Sequence, residues 1–260
     1  MSLSKIQKNN IKGKLFNTLR DKFKNYKPET NSMPFHTRLL GKDRMALFSF
    51  IHSLNTSFGT AIFENLVIEI GKKRFKKVDK QVKPENIITS EAQRVINDII
   101  DNLRSANVKP DKHKETNMIK KVCREGKTKE IKLTKIDIYL EDFNNNIYLI
   151  DLKTAKPNKG EFQNYKKTLL EWTATTLYKN YNSKVYSLIA IPYNPYAPQP
   201  YERWTLAGML DLDKELKVAE EFWDFIGGEN SYNDILSCFE EVGIEMREEI
   251  DEYFSKFKDM

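Results

Sequence analysis

Three residues in this chain can do chemistry together if the fold brings them into one place: Asp137, Asp151 and Lys153. A pair of carboxylates supplies the oxygen ligands that a hard divalent cation requires. Mg²⁺ in particular binds through one or two carboxylates plus phosphate oxygens, which suits phosphodiester chemistry. A lysine beside such a pair can orient or help activate an attacking water, or balance charge that builds on a phosphate in the transition state. The alternative is a hairpin edge carrying ordinary surface charges. Against it, Asp151 and Lys153 interrupt the end of a run that is otherwise apolar, where a buried charge without a role is costly.

The elements that must position these residues are two short apolar runs. In Lys135–Leu140, Ile136 and Ile138 alternate with Asp137 and Tyr139, and Ile147–Leu152 is almost wholly apolar until Asp151. Period-two patterning on either side of Asn144-Asn145-Asn146 predicts a hairpin. With a five-residue loop, Asp142 to Asn146, Asp137 falls directly opposite Asp151, and facing Cβ atoms lie roughly 4.5–5.5 Å apart. Lys153, two residues beyond Asp151, projects from the same face. A loop of another length would shift the register by a residue and undo the arrangement.

Length and composition narrow the setting. The 260 residues fit one large domain, or one domain with an appendage, with 40% hydrophobic and 31% charged residues. No apolar run approaches the ~20 residues needed to span a bilayer, and Met1 to Lys14 is polar and basic, unlike a secretory signal. Cys123 and Cys238 fit neither a disulfide framework nor a zinc site, so a reducing, cytoplasmic setting is expected. Charge is unevenly placed: residues 211–260 hold 16 acidic and 5 basic side chains, which leaves residues 1–210 at +17 within an overall +6. So basic a body suggests a polyanionic partner, although lysine-rich surfaces also serve solubility alone. The expected organisation is a basic body with N-terminal helices over 1–210 and an acidic helical subregion over 211–260, packed on the same domain.

Helical spacing of apolar residues predicts helices over 4–26, 43–52, 57–70, 89–103, 161–179, 212–226, 233–241 and 244–257. The hairpin and residues 184–193 supply strands, and the lysine-rich stretch 106–130 reads as a loop or ragged strand. The order is helices, then β-β-α-β, then helices. The fold class is therefore α/β, with a small mixed sheet flanked by helices and a helical C-terminal region.

Asp137, a turn, and then Asp151-Leu152-Lys153 at the end of an apolar strand leading into a helix resemble the PD-(D/E)XK nuclease motif, with Ile136 where the proline would stand. Ser57 to Glu64 is similar to the G-x-x-x-[FY]-E helix of many type II restriction endonucleases. The stretch from Asp151 to Glu161, with Tyr193-Asn-Pro-Tyr-Ala-Pro and Phe222-Trp-Asp-Phe, resembles the TdeIII/MjaII group of type II restriction enzymes, and the likeness runs from about Phe35 to the C-terminus. The resemblance implies a restriction-endonuclease-like core that cuts double-stranded DNA at a short palindromic site, of GGNCC type, with Mg²⁺ as cofactor. It implies Asp137, Asp151 and Glu64 as metal ligands, Lys153 as the catalytic lysine, a homodimer, and a cognate DNA methyltransferase as genetic partner. Glu69 is the rival to Glu64; it lies about 140° around the same helix, so only one of them can face a given site. Two other readings remain: a structure-specific or repair nuclease of the same fold, and a non-catalytic DNA-binding protein.

DNA contacts are also expected near the motif. Lys156 and Lys159 could hold phosphates, and Asn158 or Gln163 could read a base edge. Arg203, Arg38 and Arg44 are candidates for guanine contacts, each equally readable as a solvated surface charge. Tyr193, Tyr196, Tyr201 and Trp204 would stack on DNA or pack their own proline-rich loop. The run Lys72 to Lys77 would bind phosphate non-specifically or decorate a helix end.

Overall fold

A computed structural model describes residues 3–29, 33–153, 161–202 and 204–257. The chain forms two compact units, residues 1–70 with 228–260, and residues 71–227.

The first unit is helical. Its α1 (Lys5–Asn25) begins with a capping box, in which the Ser4 hydroxyl accepts from the Gln7 N–H and the Gln7 side chain accepts from the Ser4 N–H. The helix buries Ile11 and Leu15. After α2 (Pro34–Leu40), α3 (Lys42–Ser57) continues through a π-helical stretch, Phe58–Phe63, into α4 (Glu64–Gly71). Separate helices over 43–52 and 57–70 were expected, so the structure corrects this to one unbroken run. The polar residues between the two expected segments bond back to their own helix: Thr56 Oγ1 donates to the His52 carbonyl at 3.3 Å and Ser57 Oγ to that of Ser53 at 3.0 Å.

The second unit holds the sheet. Its elements are β1 (Lys77–Val82), β2 (Ile87–Thr89), α5 (Ser90–Arg104), α6 (Lys112–Val122), β3 (Thr128–Glu130), β4 (Ile136–Glu141), β5 (Ile147–Leu152), α7 (Phe162–Lys179), β6 (Val185–Ile191), α8 (Trp204–Ala207), α9 (Leu212–Glu215), β7 (Leu216–Val218) and α10 (Glu220–Gly227). Five strands form one sheet in the order β1-β4-β5-β6-β7. The β1–β4 and β4–β5 pairs are antiparallel, and β5–β6 and β6–β7 are parallel. The long α7 makes the crossover that the parallel β5–β6 pair demands. Its buried face, Phe162, Leu169, Leu170, Trp172 and Leu177, belongs to the core.

Two local expectations are corrected and one strand was not foreseen. Residues 106–130 are not irregular: the Asp111 carboxylate accepts from the Lys114 N–H at 2.9 Å and starts α6, and β3 follows. Residues 212–226 are not one helix, because Leu216-Lys217-Val218 pairs with β6 and Ala219 turns through a left-handed φ of 49° before α10. Strand β1 comes out of the lysine-rich run, whose weak alternation hid it. The chain completes its first unit with the helices α11 (Ser231–Glu245) and α12 (Arg247–Ser255). There Lys8 pairs with Asp234 at 2.6 Å, Phe23 stacks on Phe50 and Tyr253, and Phe254 meets Phe50 edge-on. Among the described residues no helix is long and apolar enough to cross a membrane.

Candidate active site

The β4–β5 loop sets the register on which the site depends. Asp142 accepts from the backbone N–H of Asn144 (2.9 Å) and of Asn146 (2.8 Å), and its own N–H donates to the Asn146 carbonyl at 3.0 Å. Asn145 takes the left-handed conformation, φ 60°, that asparagine tolerates better than most residues. The loop is therefore the five-residue one, and Glu141 faces Ile147 and Ile138 faces Ile150. One step further along this register stand Asp137 and Asp151, as expected.

Asp151 sits on the third of five strands, beside Ile189 of β6, and is only 7% exposed. Burial pushes its carboxyl up to about 6. The ammonium of Lys153 opposes that rise, with Nζ 2.7 Å from Oδ1, and the neighbouring Asp137 carboxylate adds to it. Asp137 is held at both oxygens: Oδ2 accepts from the Leu152 N–H at 2.8 Å and Oδ1 from the Gln81 side-chain amide at 3.1 Å. Lys153 is anchored by its N–H, which donates to the Ala190 carbonyl at 2.9 Å, and its Nζ lies over the Tyr165 ring, 4.6 Å from the centroid. Its side chain stays about one quarter exposed, 27%, so the ammonium can meet a substrate.

This donor set suits a small hard cation. Asp151 is a nearly buried carboxylate whose proton affinity is raised by that burial beyond what Lys153 offsets, and Asp137 stands across from it. Among the described residues no group of three or more His, Cys, Asp or Glu side chains gathers as a metal cage. Two carboxylates that leave the remaining positions to water and phosphate match the way Mg²⁺ is bound with a phosphorylated substrate.

The other expected residues fall as follows. Glu64 opens the α-helical part of α4 in the first unit and is 2% exposed. Glu69, on the same helix, is engaged with α1: Asn10 donates to it at 2.6 Å and Lys14 pairs with it at 3.3 Å. Gln163 is exposed on the first turn of α7. Arg38 and Arg44 are exposed on α2 and α3, with Arg44 bonded to the Leu40 carbonyl at 2.9 Å. Lys156, Asn158, Lys159 and Arg203 lie outside the described residues. In the basic run, Lys76 pairs with Glu141 at 2.8 Å and Lys77 with Asp79 at 3.2 Å, so part of that charge is used within the fold.

Sequence reasoning missed Gln81 and the role of Tyr165. It also missed a buried ion network beside α7. Lys166 Nζ lies 2.5 Å from both Glu115 and Glu215, and Lys112 Nζ lies 3.0 Å from Glu215 and donates to Ser187 Oγ at 2.7 Å. All four ionisable residues are 5% exposed or less. Burial lowers the Lys112 ammonium and raises the Glu115 carboxyl; it also pushes Glu215 up, but Lys112 and Lys166 outweigh it and hold that carboxyl low. The network ties α6, α9 and β6 to the turn of α7 that carries Tyr165. With residues 106–130 read as a loop or ragged strand, Lys112 and Glu115 gave no local signal of it.

A mixed sheet in which an antiparallel hairpin carries two facing acids and a lysine, followed by a helix and a parallel strand, defines a restriction-endonuclease-like fold. Residues 3–243 match the family model described as "Type II restriction endonuclease, HinfI", and the chain belongs to that family. It is 29% identical to the type II restriction enzyme MjaII of Methanocaldococcus jannaschii, over 93% of this chain and 72% of that one. It is 25% identical to the type II restriction enzyme HgiCII of Herpetosiphon aurantiacus, over 84% of this chain and 80% of that one.

Proposed function

We propose that this chain is a Mg²⁺-dependent endonuclease that hydrolyses both strands of double-stranded DNA at a short palindromic site, with Asp137, Asp151 and Lys153 as its catalytic centre. The observation that carries the proposal is the convergence of these three side chains at the sheet centre, Asp151 nearly buried and paired to Lys153 at 2.7 Å. Mg²⁺ held by the two carboxylates would supply Lewis acidity at the phosphoryl oxygens and a water of lowered proton affinity. Lys153 donates hydrogen bonds to the attacking water or to the phosphate oxygens as negative charge accumulates there. Its ammonium is held in place by Asp151 and by the face of Tyr165. Asp137 keeps a fixed rotation because both its oxygens are tethered. For Glu64 as a further ligand the support is its match to the helix motif, and the activity of Glu64→Gln tests it.

Cleavage of both strands of a palindrome calls for two such centres related by a two-fold axis, hence a homodimer. A GGNCC-type target and the protective methyltransferase rest on sequence resemblance, and the cytoplasmic setting on the two unpaired cysteines and the polar, basic N-terminal stretch. The test is plasmid digestion with Mg²⁺. Discrete fragments that persist on prolonged incubation, and that vanish with Asp151→Ala protein of parental fold, are expected. A smear would indicate a nuclease without sequence specificity. DNA binding without any cleavage would overturn the catalytic reading.

A further inference from the structure

The β1 strand departs from regular geometry opposite the catalytic pair. Its pairing with β4 runs Lys80↔Ile138 and Val82↔Ile136, and these pairs bracket Gln81 and Asp137. At Gln81 the backbone turns to φ 53°, in the left-handed region that side chains other than Gly, Asn and Asp seldom adopt. The exposed residues of β1, Lys77 and Lys80, are three apart rather than on alternate positions, and Gln81 beside them is half-buried. A strained backbone persists where its surroundings hold it, and such positions gather at functional sites. Here the kink brings the side-chain amide of Gln81 to 3.1 Å from Asp137 Oδ1, while the β5 backbone N–H of Leu152 holds Oδ2.

We propose that Gln81 is a positioning residue, whose amide fixes the rotation of the Asp137 carboxylate so that its remaining lone pairs face the cation and phosphate shared with Asp151. The assignment rests on the reading of Asp137 and Asp151 as cation ligands. Outer-shell partners of this kind orient a metal-binding carboxylate, and their loss typically weakens metal affinity ten- to hundredfold. A backbone N–H locks one oxygen in any sequence that keeps the β4–β5 pairing. The second tether is made by this side chain.

A purely structural kink and a positioning amide respond oppositely to glycine. Gln81→Gly suits the positive φ, so its unfolding midpoint should match or exceed that of the parent. If the amide positions Asp137, the same variant should bind Mn²⁺ about ten- to hundredfold more weakly, measured by calorimetry on the full chain without DNA. Gln81→Met, which keeps the side-chain volume and removes the donor, should show the same loss and serves if the glycine variant fails to fold. Parental Mn²⁺ affinity in either folded variant would overturn the role of Gln81 and leave the catalytic pair standing. Parent protein that binds no Mn²⁺, or Asp151→Asn protein that binds it as tightly as the parent, would overturn the carboxylate reading itself and Gln81 with it.

Discussion

Replacing Asp151 by asparagine should abolish cleavage and at the same time stabilise the metal-free protein at neutral pH. Asp151 is 7% exposed, and its burial is the main reason its carboxyl titrates at about 6 rather than 3.8. The folded protein thus binds that proton more tightly than the unfolded chain does. The stability contributed by the protonated form is complete below about pH 4 and is lost as pH rises through about 6, so it is absent at pH 7. At roughly 1.4 kcal/mol for each tenfold change in proton affinity, the loss is about 3 kcal/mol. Asparagine does not titrate, so the stability of Asp151→Asn relative to the parent should grow by about 3 kcal/mol between about pH 4 and pH 7. In a chain of this size that corresponds to a relative rise of roughly 6–12 °C in Tm. Urea unfolding of both proteins in EDTA across this range measures the change directly. A difference that stays constant with pH would refute the assignment of a destabilising, buried carboxylate at the site. Added Mg²⁺ at pH 7 should then raise the stability of the parent and leave the asparagine variant where it was.

Three further perturbations probe the supports of the site. Lys166→Met removes the shared cation of Glu115 and Glu215 and leaves buried carboxylate charge uncompensated, which should cost about 3–5 kcal/mol in urea unfolding; a cost below about 1 kcal/mol would mean that the network adjusts by taking up a proton. Tyr165→Leu should lower kcat roughly two- to thirtyfold, the equivalent of a ~0.5–2 kcal/mol contact between Lys153 and the ring face, and Tyr165→Phe should keep parental activity; equal kinetics in the two variants would remove Tyr165 from the account. Asp142→Ala deletes the acceptor for the Asn144 and Asn146 N–H groups and should cost about 1–3 kcal/mol in denaturant unfolding, while a cost near zero would show that the loop closes without it.

The sequence was most informative where period and turn chemistry agreed. Alternation in Lys135–Leu140 and the Asp-and-Asn-rich turn specify both strands and their register, because a slip of one residue would turn Ile136 and Ile138, both buried, to the opposite face. The long α7 is equally legible from its apolar stripe. Elements set by tertiary partners were not. The strand β7 has three residues, pairs with β6 at the end of the strand order, and sits among helix-forming residues, so its local pattern reads as helix. The edge strand β1 pairs with β4 through residues that are mostly charged or polar, and nothing in Lys77 to Val82 announces a left-handed residue at its fifth position. Gln81 was invisible for the same reason. Its value comes from backbone geometry and a neighbour 56 residues away.

The same feature makes this centre recognisable and explains its cost. A sheet interior offers a rigid frame in which opposed side chains are fixed by backbone pairing, and that fixes Asp137 against Asp151 without help from any flexible segment. The interior also strips water from carboxylates, which is why Asp151 holds its proton to about 6. Lys153 offsets part of that penalty but not all of it. The remainder is what a divalent cation would relieve, so the unfavourable charge in the metal-free protein and the proposed affinity for a cation would have one origin. A chain selected for stability alone would place an apolar residue at position 151, in line with Leu149 and Ile150, both fully buried. That it places an aspartate there, two residues before a lysine and across from a doubly tethered second aspartate, is the strongest physical argument that this strand end is built for chemistry.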